Sequence, residues 1–364
     1  MSATAASAPL PSSAAARPGL PWLFSAPVDL GVFLGSALLA FAALLAGRAL
    51  GVGAGETPDW SWVPAILLVD VAHVYATGFR VYLDRDEFRQ RPALYTLVPL
   101  VGFVLGVVLY GAGPLVFWRA LAYLAVFHFV RQQYGWVALY RRRAGETGRA
   151  GHVVDSLAIY AATLYPLAYW HAYLPRQFWW FVPGDFWLAL PRGVERVLGP
   201  LYVSILAIYV VFALRDTARG LRNPGKHIVV ATTAACWYAG IVATNSDFAF
   251  TVTNVFTHGI PYLALVFWFA RNRSRQLGSG LLHRILARGP LAFLGILWIC
   301  AYAEEAIWDR AVWHDHAWLF GGAWDVGSWK IWIVPLLAVP QLTHYILDGV
   351  LWRRRSMKEA GADV

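Results

Sequence analysis

Apolar runs close to twenty residues long recur along this chain and constrain it more than any motif. They fall at about 30–49, 61–80, 93–112, 115–140, 153–173, 197–214, 227–244, 248–270, 289–308 and 330–352. A helix of about twenty apolar residues crosses a hydrocarbon core about 30 Å thick. In that core each backbone N–H and C=O must be bonded within the chain, so segments of this length can cross only as helices. The sequence therefore predicts an all-α, polytopic integral membrane bundle with about ten transmembrane helices. Composition agrees. Hydrophobic residues make up 59% of the 364 and charged residues 14%, against about 45–50% and about 25% in soluble domains. A soluble enzyme and a disordered chain are both excluded.

Residues 1–28 are mostly Ala, Ser and Pro and lack the basic and apolar regions of a signal peptide. They are expected to form a disordered cytoplasmic tail. A single transmembrane domain is expected over 29–355, and a second cytoplasmic tail over 356–364. Gln177–Leu190, broken at Pro183-Gly184, reads as an interfacial or re-entrant piece, and 311–328 as an interfacial loop.

The net charge of +9 comes almost wholly from arginine. Loops after the even-numbered spans hold 21 of the 30 Lys and Arg, and loops after the odd-numbered spans hold 6. Positive loops stay cytoplasmic, so both termini are expected there, in a multi-pass protein of the bacterial inner membrane. The charge serves orientation, and nucleic acid is not an expected partner. Cys236 and Cys300 both sit in apolar runs and form neither a disulfide framework nor a CxxC pair.

An ionisable group inside a span costs about 2.5–3.5 kcal/mol on insertion scales and so points to function. The second span carries Asp70 and His73, and the fourth His128, Arg131 and Gln132. The eighth carries Asn254 and His258, and the tenth Gln341, His344 and Asp348. Spacings of three and four residues put each set on one helix face. All four histidines lie on even-numbered spans, which run the same way. They precede the loop residues Arg80, Arg141, Arg271 and Arg353 by 7, 13, 13 and 9 residues. That predicts a layer spread over about 9 Å.

Imidazole and carboxylate suit Fe, Zn, Cu or Mn. His73, His128, His258 and His344 are therefore the candidate metal ligands. Asp70, Arg131 and Asp348 are the candidate catalytic residues. Asp70 is placed to be a further ligand or to orient His73, and Asp348 to be a ligand, to orient His344 or to pair with an interfacial arginine. Arg131 suits a carboxylate or an anionic head group. Gln132, Asn254 and Gln341 are candidates to hydrogen-bond the ligand rings. His152 with Asp155 could lie under the site. Glu304, Glu305, Asp309, His314, Asp315 and His316 are expected in a solvated outer loop. The outer half otherwise lacks ionisable groups, which predicts a site closed toward the outside. Nucleotide-binding, HExxH and GxSxG motifs are absent from the sequence.

Single histidines spread over apolar helices, the His258-Gly259 pair and the overall hydropathy resemble the Brp/Blh carotene-cleaving membrane oxygenases. The HxxxH and HxxHH boxes of membrane desaturases do not occur. The resemblance implies a non-haem iron held by His73, His128, His258 and His344, dioxygen as co-substrate, and a long apolar polyene substrate. It assigns no role to Asp70, Asp348 or Arg131. The expected function is a metal-dependent, iron-containing oxidoreductase acting on an apolar, lipid-like or isoprenoid molecule drawn from the bilayer. The alternatives are a haem protein and a proton-coupled transporter using Asp70, His73, Arg131 and Asp348.

Overall fold

The computed structural model describes residues 20–52 and 58–352. The tail expected at 356–364, most of that expected at 1–28, and the loop residues Arg17, Arg353, Arg354, Arg355 and Lys358 lie outside the described residues. Ten long helices order the chain. They are α1 (Ala26–Ala49), α2 (Asp59–Arg80), α3 (Pro92–Ala112), α4 (Pro114–Arg143), α5 (Arg149–Ala172), α6 (Arg192–Ala218), α7 (Pro224–Ala243), α8 (Asp247–Leu277), α9 (Pro290–Trp313) and α10 (Gly327–Leu351). Among the described residues there is no strand. All of these helices except α5 are long and apolar enough to cross a membrane, nine in number.

Sequence marks the helix starts. Proline, which has no N–H to lose, occupies the first position of α3, α4, α7 and α9. Ser246 and Asn223 cap α8 and α7 by accepting first-turn N–H bonds from Ala249 and Lys226. Helix α5 is long enough but carries three tyrosines, Pro166 and Asp155 among its apolar residues. It runs antiparallel to α4. Arg141 pairs with Asp155 at one end, and Tyr123 meets His171 Nε2 at 3.1 Å at the other. Those contacts lie eighteen positions apart along α4, about 27 Å of rise.

Helix α8 is the centre of the bundle. Its apolar stretch is 78% buried, against 11% for α6 at the periphery. It packs against α1, α2 and α7. Small residues make this possible: a Cβ at Gly240 of α7 would lie 2.0 Å from Thr253 Oγ1.

The arginine-rich end is stapled by buried ion pairs. Arg141 and Lys226 share Glu146 and Asp155, and Arg80 meets Glu87 at 2.7 Å. Asp155 is thus committed to this network at the basic end and does not lie under the site; His152 beside it is exposed. Residues 20–28, expected in the tail, are docked instead. Leu23 is buried, and the Asp29 carboxylate accepts bonds from the N–H groups of Leu23, Phe24 and Ser25 and from the Tyr140 hydroxyl.

At the opposite end Gln177–Leu190 folds inward as a plug. Phe178 and Phe186 are buried, and Trp180 sits 4.9 Å from the Phe129 ring. Buried Asp185 closes the turn by accepting N–H bonds from Trp180, Phe181 and Val182. Burial pushes its carboxyl above the usual range, and these donors oppose that. The 311–328 segment contains one short helix, Ala317–Phe320, and stacks His316 on Trp62 at 4.3 Å.

Candidate metal centre

Four helices each deliver one histidine to a single point. Before His73, α2 widens into a π-helical stretch over Val63–Val71, a distortion that turns side chains away from the regular α path. His128 lies mid-way along α4. His258 lies on α8, next to Gly259. Helix α10 breaks at Ala338 and restarts with Pro340 in its first turn, which sets the direction of His344. All four rings are buried. One nitrogen from each lies within 4.8 Å of the others.

The rings form a closed circuit of edge-to-face contacts. Centroid separations are 4.8 Å for His73–His258, 5.1 Å for His258–His128, 4.6 Å for His128–His344 and 4.9 Å for His344–His73. Their outer nitrogens identify which atoms face inward. His344 Nδ1 is 2.8 Å from Thr77 Oγ1. His73 Nδ1 faces Asp70 at 3.6 Å, and His128 Nδ1 faces Asp348 at 3.8 Å. That leaves Nε2 for the interior in these three, and His258 Nε2 lies 3.2 Å from His73 Nε2. The Nε2 atoms of His128 and His344 are buried and have no hydrogen-bond partner.

The residues fit a metal ion. A tetrahedral centre with nitrogen bonds of about 2.1 Å needs its ligand atoms about 3.4 Å apart. The His73–His258 pair already meets that spacing, and a pair at the 4.8 Å limit must close by about 1.4 Å. Each unpartnered buried nitrogen costs about 1–3 kcal/mol, and ligation offsets this. The four buried histidines can therefore hold a metal ion, while nothing in the donor set fixes which one.

The other candidates divide. Asp70 stands beside His73, as expected. Asp348 faces His128 rather than His344 and accepts a bond from the Trp352 indole; Arg353, the arginine expected to compete for it, lies outside the described residues. Gln132 Nε2 donates to the His258 carbonyl at 2.9 Å, tying α4 to α8 instead of touching a ring. Asn254 Nδ2 donates to the Phe250 carbonyl. Gln341 lines a cavity, described below, together with Tyr345. Arg131 leaves the cluster altogether: it points outward, bonds the Tyr160 hydroxyl and lies over the Tyr134 ring at 4.7 Å.

Several partners of the site carry no signal in the sequence. Phe129 stacks on His258 with centroids 3.5 Å apart, and Tyr345 stacks on His128 at 4.8 Å. Thr77 and Tyr262 complete the surround, with hydroxyls 3.3 Å apart.

Two cavities flank the histidines. One, of about 350 Å³, lies toward the end away from the arginine-rich loops. Asp59, Asp70, Asp247, Glu304, Glu305, Asp309 and Asp315 line it, and no lysine or arginine among the described residues does. Its floor includes Asp70, Phe129 and Tyr345, each in contact with a cluster histidine. This corrects one expectation: Glu305 and Asp309 are buried rather than in a solvated loop. The carboxylates come from α2, from the start of α8, from α9 and from the loop after it, so no single helix displays the cluster. The second cavity, of about 370 Å³, opens between α4 and α10 and is lined by His128, Arg131, Tyr262, Tyr345, Asp348 and Trp352, among others.

No protein family, curated protein or solved structure matches the chain.

Proposed function

We propose that the chain is a multi-pass enzyme of the bacterial inner membrane that uses a histidine-held iron to oxidise an apolar, lipid-like or isoprenoid substrate with dioxygen. The convergence of four buried imidazole nitrogens within 4.8 Å carries this reading. The resemblance to Brp/Blh oxygenases points the same way, toward a polyene. In this reading α5 is a tenth crossing, both termini are cytoplasmic and the acidic cavity faces outward. The length over which α5 accompanies α4, and the arginines at one end of the bundle, support that topology.

An iron held by these imidazoles would supply redox chemistry with dioxygen. The chain's own residues bind, orient and exclude water. Thr77, Asp70 and Asp348 fix the ring directions of His344, His73 and His128. Phe129 and Tyr345 shield the rings from the acidic cavity. The lateral cavity beside His128 gives an apolar molecule a way in from the bilayer, and half-exposed groups such as Phe127 line it. Arg131 at the same cavity suits a polar end of that molecule. Haem fits poorly, because rings packed at 4.6–5.1 Å leave no slot for a macrocycle.

A proton-coupled transporter is favoured by one observation: carboxylates lie on both sides of the histidine layer, Asp70 on one and Asp348 on the other. One experiment separates the readings. Protein purified in detergent is assayed for metal by mass spectrometry, for a visible spectrum, and for oxygen uptake with a conjugated polyene. About one iron per chain and polyene-dependent oxygen uptake, both lost in His73→Ala and His344→Ala, are expected. Folded protein with neither refutes the oxidase. Proton flux abolished by Asp70→Asn would then establish the transporter.

A further inference from the structure

We propose that the acidic cavity is the route by which a divalent cation reaches the histidine cluster. This rests on reading the cluster as a metal centre. The cavity is lined by the exposed carboxylates of Asp59 and Asp315, by the buried ones of Glu305 and Asp309, and by the partly exposed one of Asp70. Asp70 borders both the cavity and His73 Nδ1, 3.6 Å away. It is the last carboxylate before the ligands.

Two further atoms mark the path as one built for a cation. Asn254 Oδ1 and Asp309 Oδ2 are buried acceptors without a hydrogen-bond partner, on residues that are each 2% exposed and line the cavity. An unpartnered acceptor at such depth is destabilising unless something positive visits it. A cavity lined with carboxylates, between low-dielectric walls, raises the local cation concentration and the association rate by about 10–10³-fold. The lateral cavity offers no such path, because Arg131 stands in it.

The arrangement separates rate from affinity. Glu305, Asp59 and Asp315 are not ligands of the cluster. Neutralising them should slow loading without changing how much cation is finally held. Protein stripped by a chelator is mixed with Co²⁺, and the growth of its visible ligand-field absorption is followed by stopped flow. The triple variant Asp59→Asn/Glu305→Gln/Asp315→Asn is expected to load about tenfold more slowly, to the wild-type end point. Wild-type loading should slow as salt rises from about 50 to 500 mM, and the variant much less. Glu305→Asp, which keeps the carboxyl group, should load as wild type does. The exposed pair Asp59→Asn/Asp315→Asn serves should the triple variant fail to fold.

Loading at the wild-type rate in the neutralised variants overturns the route. A lowered end point overturns it too, since those carboxylates would then be ligands. Wild-type protein that takes up no Co²⁺ overturns the metal centre itself, a different result from either.

Discussion

Gly259 offers the sharpest test of how packing sets the site. A Cβ added there would lie 2.7 Å from Val69 Cγ1 and 3.3 Å from the Val69 carbonyl oxygen, with His73 Nδ1 at 3.6 Å. Carbon atoms in contact sit about 3.5–4.0 Å apart. Gly259→Ala must therefore move α8 from α2 by about 1 Å, or tilt one of them. His258 and His73 ride on those two surfaces, and their Nε2 separation of 3.2 Å would widen to about 4 Å. That exceeds the spacing of about 3.4 Å at which two imidazoles share an ion. The overpacking itself costs about 1–3 kcal/mol. The expected outcome is a lower Tm in detergent and a metal affinity reduced about 10–100-fold, the size of effect seen when a ligand's support is removed. Affinity is read by competition with a calibrated chelator. Val69→Ala removes the clashing methyl, so Val69→Ala/Gly259→Ala should recover most of the loss, an interaction energy that a double-mutant cycle isolates. Wild-type affinity in Gly259→Ala refutes the reasoning, and so does a double variant no better than the single.

Thr77→Val removes the hydroxyl at 2.8 Å from His344 Nδ1 and should lower metal affinity about 10–100-fold with the fold retained, while Thr77→Ser keeps it; chelator competition and circular dichroism read the two. Metal removal should lower the Tm, since an ion present at about 1,000 times its Kd contributes about 4 kcal/mol to the folded state. Asp155→Ala strips a carboxylate from two buried cations, Arg141 and Lys226, and should destabilise by about 3 kcal/mol in denaturant titration without changing metal content.

What sequence could reveal depended on how far each feature reaches along the chain. The apolar runs are local, and so are the polar residues that interrupt them. The four histidines could be found because each breaks an apolar span alone and all occupy helices of one direction. Their convergence is tighter than the spread of about 9 Å estimated from uniform rise. The π-helical stretch before His73 and the break at Ala338 change the axial position and direction of two of the four rings, and neither follows from periodicity. Pairing across helices was not legible. Asp348 follows His344 by four residues, which suggests contact, yet the His344 ring turns toward Thr77 and Asp348 meets His128. Arg131 and Gln132 are adjacent on α4, and only Gln132 turns inward, because the helix step of about 100° carries Arg131 out to the lateral cavity. The less apolar α5 shows the opposite case: its composition is weak evidence for a crossing, and its contacts with α4 at both ends carry more.

Tyr345 joins these observations into one picture of supply. It is nearly buried, stacks on His128 and borders both cavities. A small cation needs carboxylates and water, and an apolar substrate needs neither. A single entrance would have to serve both. Here the carboxylates of Asp70, Glu305 and Asp309 lie on one side of the ring, and Tyr262, Trp352 and the opening between α4 and α10 lie on the other. Among the described residues, Tyr345 is the one common to both linings. Tyr345→Ala would join the two cavities beside His128 and admit water to the substrate side. Under the proposed function, the expected result is that oxygen uptake loses its dependence on the polyene while iron is retained. Coupling as tight as in wild type would show that Tyr345 is not the partition.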